Sequence, residues 1–153
     1  MAGALHLKAE DEEDLAVISS CLQDALVPLS DMRYEPDIKR FTLALNRFRW
    51  EEARAAAPGQ AQRAYERIAC GVAFDEVENV SLRGIERQKR DRLLELLAVV
   101  PGAAESRASP EEKAILLLFA GGGTIRLECR RLSCRLDDFG EPWPTNWQPR
   151  HRL

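Results

Sequence analysis

Few residues in this chain have the type and spacing that chemistry requires. The cysteines are Cys21, Cys70, Cys129 and Cys134, and the histidines are His6 and His151. No two cysteines form a C-x-x-C pair, and the two histidines lie near opposite ends of the sequence. A zinc site needs four ligands in recognisable pairs, so this pattern is expected to give four reduced thiols, no metal and no cofactor. No serine sits in a G-x-S-x-G elbow, and no histidine is placed to act as its base. Carboxylates alone can run acid–base chemistry, but among 25 aspartates and glutamates the sequence singles out no pair. No catalytic residue is therefore assigned. Gly121-Gly122-Gly123-Thr124 has the look of a phosphate-binding loop. A phosphate cradle is followed by a helix and usually a Lys-Ser/Thr; here an alternating stretch follows, so the expectation is a hairpin turn.

Residue types that favour binding are better represented. Arg47, Phe48, Arg49 and Trp50 close a strand-like segment, and Trp143 and Trp147 lie in a Pro-containing C-terminal stretch. Arginine and tryptophan carry a disproportionate share of interface energy, so Arg47, Arg49, Trp50, Trp143 and Trp147 are the candidate partner-binding residues. The plainer alternative packs Phe48 and Trp50 on the second sheet face, turns the arginines outward at the sheet edge, and folds the tail over its own sheet. Basic residues cluster twice. Residues 83–92 hold five basic against two acidic side chains, and 126–135 hold four against one. On a chain of net charge −3 these could bind phosphate or RNA, but mixed-charge surface is the simpler expectation, and no base-stacking aromatic signature accompanies them.

The elements that must position these residues follow from periodicity. Leu5 to Ala9 alternate as a short strand. Asp11 to Asp14 then form an acidic helix start, and Leu15, Ile18, Leu22, Ala25 and Leu26 fall on one helical face, ended by Pro28. Residues 29–34 and 40–50 read as strands around a Pro36-Asp37 turn, with Phe41, Leu43 and Leu45 on one face. Residues 51–63, with Pro58-Gly59, read as a surface connection. Residues 65–75 and 76–85 read as extended, with a phase step between Phe74 and Val77 that signals a bend or bulge. The segments 93–100, 113–120 and 124–129 read as an antiparallel meander joined by a Pro-Gly loop and the glycine turn. Cys129, Leu132, Leu136 and Phe139 are spaced three, four and three apart, a helical stripe; a continuing strand bulged at Arg130-Arg131 is the alternative. From Gly140 on, three prolines argue for irregular structure.

The chain's 153 residues suit one domain, expected over 1–139 with a tail at 140–153. The fold class is α+β: an N-terminal helix on a mostly antiparallel, strongly bent sheet or half-barrel with a C-terminal meander, of pleckstrin-homology-like form. No apolar run reaches the ~20 residues of a membrane helix, and the N-terminus lacks the basic start and apolar core of a signal peptide, so the cytoplasm is the expected location.

The segments Leu43-Ala44-Leu45-Asn46-Arg47-Phe48-Arg49-Trp50-Glu51 and Phe119-Ala120-Gly121-Gly122-Gly123-Thr124-Ile125-Arg126-Leu127-Glu128 resemble a family of short alphaproteobacterial proteins, as does the opening Leu15 to Ala25. That family is catalogued as a domain of unknown function. The resemblance implies a bacterial cytoplasmic protein of one domain and carries no activity with it. The expected function is that of a non-enzymatic interaction or accessory protein with a protein partner. The alternatives are a small enzyme using carboxylate acid–base chemistry and a phosphate or RNA binder working through the arginine clusters.

Overall fold

A computed structural model describes residues 4–50, 66–103 and 112–144. In chain order the elements are β1 (His6–Ala9), α1 (Glu12–Leu22), β2 (Ala25–Pro28), a 3₁₀ turn (Leu29–Asp31), β3 (Met32–Glu35), β4 (Arg40–Phe48), β5 (Glu66–Phe74), β6 (Val77–Arg83), β7 (Leu93–Gly102), β8 (Lys113–Phe119), β9 (Thr124–Cys129) and β10 (Cys134–Pro144). Among the described residues the fold is mostly β, with one N-terminal helix on an open antiparallel sheet.

The helix forms where the sequence asks for it. The Asp11 side chain accepts from the Asp14 N–H at 2.8 Å, capping a first turn that also carries Glu12 and Glu13. Leu15, Ile18 and Leu22 form its buried stripe. The helix stops earlier than the apolar spacing suggests. Asp24 takes a positive φ of 65°, and its N–H bonds to the Leu96 carbonyl, so Ala25 and Leu26 belong to β2 and pair with β7. Cross-strand bonding wins over one more helical turn there.

The strand order is β1-β10-β5-β4-β2-β7-β8-β9-β6, with β3 also beside β4. The sheet has two halves. In the first, β5 pairs with β4 and β10, and Phe41, Leu43 and Leu45 lie opposite Phe74, Val72 and Cys70. In the second, the meander β7-β8-β9 is extended by β6. The halves join through β2, whose ladder with β4 is the single pair Leu26–Asn46. Residues of both halves and the α1 stripe share a single apolar core, so the sheet bends around that core. The phase step after Phe74 is where the chain changes halves: Glu76 has φ 57°, and β6 leaves β5 to pair with β9. The glycine turn is as expected, with Gly121 and Gly122 at φ 85° and 91° between β8 and β9.

The C-terminal end departs from the sequence expectation. No helix forms over 129–139. After a turn, β10 begins at Cys134 and is flanked by β5 and β1, whose ladders satisfy its backbone on both sides. Cys134 and Leu136 point into the core, whereas Phe139, the last residue of the helical stripe, is exposed. The strand also runs through position 140 to Pro144. Its prolines are tolerated because bonding to the β1 side ends at Asp138, leaving that edge of β10 without a strand partner among the described residues from there on, and because the register with β5 shifts between Phe139 and Trp143. The expected connection at 51–63 and the rest of the tail, Trp147 included, lie outside the described residues.

Candidate functional site

Arg47 continues the inward register of Phe41, Leu43 and Leu45, and the structure carries its guanidinium into the interior rather than to the sheet edge. Its Nε and Nη2 donate to Asp138 Oδ1 and Oδ2 at 2.8 and 2.6 Å, and its Nη1 donates to the Phe48 carbonyl at 2.9 Å. The two side chains are 0% and 1% exposed. Asp138 Oδ2 also accepts the Leu5 N–H at 2.8 Å. Burial pushes the Asp138 carboxyl up, but hydrogen bonds from Arg47 and Leu5 and the guanidinium charge outweigh it and hold the group below its ordinary value.

Arg49 is not turned outward either. It is buried, with Nη1 on Glu66 Oε1 at 2.5 Å. Trp50 donates its indole N–H to the Gln23 carbonyl at 2.9 Å and lies 5.5 Å from the Phe48 ring, centroid to centroid. Arg67 stacks over Phe48 at 3.7 Å, and burial lowers its pKa. Trp143 stands opposite Arg67 in the β10–β5 register and is 38% exposed. Of the five candidate residues, the structure thus places Trp50 beside Phe48, and Trp143 opposite Arg67, at the end of β4 and β5. Arg49 is held by Glu66 at the same end, Arg47 points to the inner face, and Trp147 is outside the described residues.

A site that the sequence reading did not single out lies at the other end of the sheet. Among the described residues β3 pairs with β4 alone and β6 with β9 alone, so each has an outer edge without a strand partner there. The bend brings these two strands to one cleft of about 260 Å³. They are pinned at one end, where the Tyr34 hydroxyl donates to the Val77 carbonyl at 2.7 Å and the Val77 N–H bonds to the Lys39 carbonyl. Beyond the pin the walls are Met32 and Tyr34 on one side and Val80 and Leu82 on the other, over a floor that includes Phe41 and Ile125. Arg33, Arg87 and Arg90 line the same cleft. Arg90 reaches the Ser30 carbonyl at 3.5 Å, Arg33 lies 3.9 Å from Glu35, and Arg87 has no carboxylate partner among the described residues. The cleft is therefore apolar inside and cationic at its margin. A hint was present in the sequence: the alternation of Val80 and Leu82 beside the basic run 83–92.

The second basic cluster differs. Arg126 pairs with Glu128, Arg131 with Glu76, and Arg135 with Asp75 at 3.5 Å. The four cysteines are free thiols. Burial pushes Cys129 and Cys134 up to about 12 and raises Cys70 as well, so these three are protonated near neutrality and poor nucleophiles. Among the described residues no group of three or more His, Cys, Asp or Glu could hold a metal ion, and no helix is long and apolar enough to cross a membrane.

The family described as "Protein of unknown function (DUF2948)" matches residues 5–151, and the chain belongs to that family. No curated protein and no solved structure matches it.

Proposed function

We propose that this DUF2948 protein is a cytoplasmic interaction or accessory protein that acts by holding a protein partner, not by catalysis. The observation that carries this reading is the cleft between the unpaired edges of β3 and β6, apolar within and lined by three arginines. At about 260 Å³ it falls below the ~300–1,000 Å³ usual for small-molecule sites, and suits a few side chains of a larger partner. Free thiols fit a reducing compartment. The reading draws on the bend of the expected half-barrel and does not need the pleckstrin-homology likeness.

Less supports the alternatives. The carboxylates of Asp75, Glu76, Glu128 and Asp138 are each tied to an arginine, which suits structure better than acid–base chemistry. The same pairing leaves the 126–135 cluster with little charge to offer phosphate or RNA.

The test is affinity purification with the intact chain, a Val80→Asp/Leu82→Asp variant and an Arg49→Ala/Trp143→Ala variant, each first checked for an unchanged fold. A recovered protein must rebind in purified form. Loss of rebinding in the cleft variant alone is the expected result. Rebinding that survives in the cleft variant and fails in the other moves the site to the end of β4 and β5.

A further inference from the structure

Resting on the cleft reading above, we infer that the occupant is an extended, acidic segment of a partner protein that adds as a strand along the outer edge of β6. Three observations lead there.

The first is the backbone. β6 is a seven-residue strand, Val77–Arg83, laddered on one side; past the pin at Val77 its other side has no strand partner among the described residues, and it contains no proline to blunt that side. An unpaired edge of that length is a template for another strand unless it is covered.

The second is the side-chain pattern. Val80 and Leu82 turn into the cleft, whereas Asn79, Ser81 and Arg83 are exposed. A strand laid beside β6 shares its two-residue period, so every second side chain of the newcomer enters the same apolar space. The room suits such isolated side chains.

The third is charge. Arg33, Arg87 and Arg90 line the cleft of a chain whose net charge is −3. Arg87 and Arg90 carry no carboxylate among the described residues. Guanidinium groups pair carboxylates in bidentate fashion, so acidic residues flanking the apolar ones on that same face, where the incoming strand passes the cleft's margin, complement them. The chain's own last residues, 145–153, hold two arginines and no acidic residue, and so lack this complementarity. Nucleic acid fits less well: an apolar slot whose one tyrosine is pinned by its hydroxyl offers no platform for stacked bases.

The experiment uses the full chain and dye-labelled seven-residue peptides followed by fluorescence anisotropy. The probes are a Val/Glu peptide whose odd positions run Glu, Val, Val, Glu with threonines between them, the same peptide with Lys for Glu, and two versions N-methylated at alternate backbone nitrogens, one for each edge. The Val/Glu peptide is expected to bind saturably. Binding should weaken at least tenfold with Arg87→Glu/Arg90→Glu, a variant that should instead prefer the Lys peptide. One N-methylated version should lose at least tenfold and the other should not. Equal binding of the Glu and Lys peptides, or equal binding of both N-methylated versions and the parent, overturns the acidic-strand inference. If that binding is still lost in Val80→Asp, the cleft reading stands without it. A Val/Glu peptide that fails to bind the wild-type chain overturns the inference, and one whose binding ignores Val80→Asp overturns both. Displacement of the bound peptide by a single-stranded RNA at matched ionic strength, lost in Arg87→Glu/Arg90→Glu, overturns the protein partner in favour of nucleic acid.

Discussion

Arg47 and Asp138 face each other across the interior with two hydrogen bonds of 2.8 and 2.6 Å, although 91 positions separate them in the sequence. The pair fastens β4 to β10, two strands that do not touch as neighbours because β5 lies between them. With Leu5 bonded to the same carboxylate, it also ties the start of the chain to the end of the described sheet. The inner face of the sheet thus ends on an ion pair where the apolar register stops.

Removing one member leaves a buried charge without its partner, which typically costs about 3–5 kcal/mol. Asp138→Ala and Arg47→Ala are each expected to lose stability of that order in urea unfolding. Arg47→Met/Asp138→Leu, which removes both charges and fills the space, should recover most of it. A double variant no better than the sum of the singles would show that the pair is not the source of the loss.

The same pair sets an acid limit. Asp138 sits below its ordinary value, so its contribution is complete above the unfolded carboxylate range, near pH 3.9, and disappears as pH falls through the lowered folded value. Asp138→Asn should therefore be much less stable than wild type at pH 7, and the gap should narrow as pH falls below the unfolded value and close once it has passed the lowered folded one. Unfolding midpoints across pH 2–7 for both chains measure this; a gap constant with pH contradicts it.

Thiol reactivity should separate Cys21 from the rest. Cys21 is half-buried, whereas Cys70, Cys129 and Cys134 are buried with raised pKa values. Native protein treated with an aromatic disulfide near pH 8 should release one equivalent promptly and the other three only in denaturant. Four fast equivalents in native protein would contradict the assigned burial.

The turn at Gly121 and Gly122 depends on backbone conformation rather than on space, since a Cβ at either position meets nothing within 4 Å. Gly122→Ala should thus lose about 1–2 kcal/mol through its positive φ alone. Gly123 is different: a Cβ there would come within 2.9 Å of the Ile85 side chain. Gly123→Ala combined with Ile85→Val should be milder than Gly123→Ala by itself, read by thermal unfolding of the three variants.

The features the sequence determined are local ones. The acidic start and the Leu15, Ile18, Leu22 stripe specify α1, because capping and a 3.6-residue period need only neighbouring residues. The meander of β7, β8 and β9 and its glycine turn are legible for a related reason: each strand pairs with the next in the chain, and the short turn between β8 and β9 leaves few alternatives. The helical spacing of Cys129, Leu132, Leu136 and Phe139 was a genuine local signal, and it lost to the ladders from β5 and β1, partners about 60 and 130 positions away in the chain. Only the tertiary structure decided that Arg47 is internal, because an inward arginine is unaffordable until Asp138 arrives opposite it. The cleft likewise belongs to no single segment. Met32 and Tyr34 come from one half of the sheet and Val80 and Leu82 from the other, and each pair alone reads as ordinary half-buried strand. What makes them a site is the bend of the sheet, driven by the burial of both halves on one core, which brings two unpaired edges to face the same space.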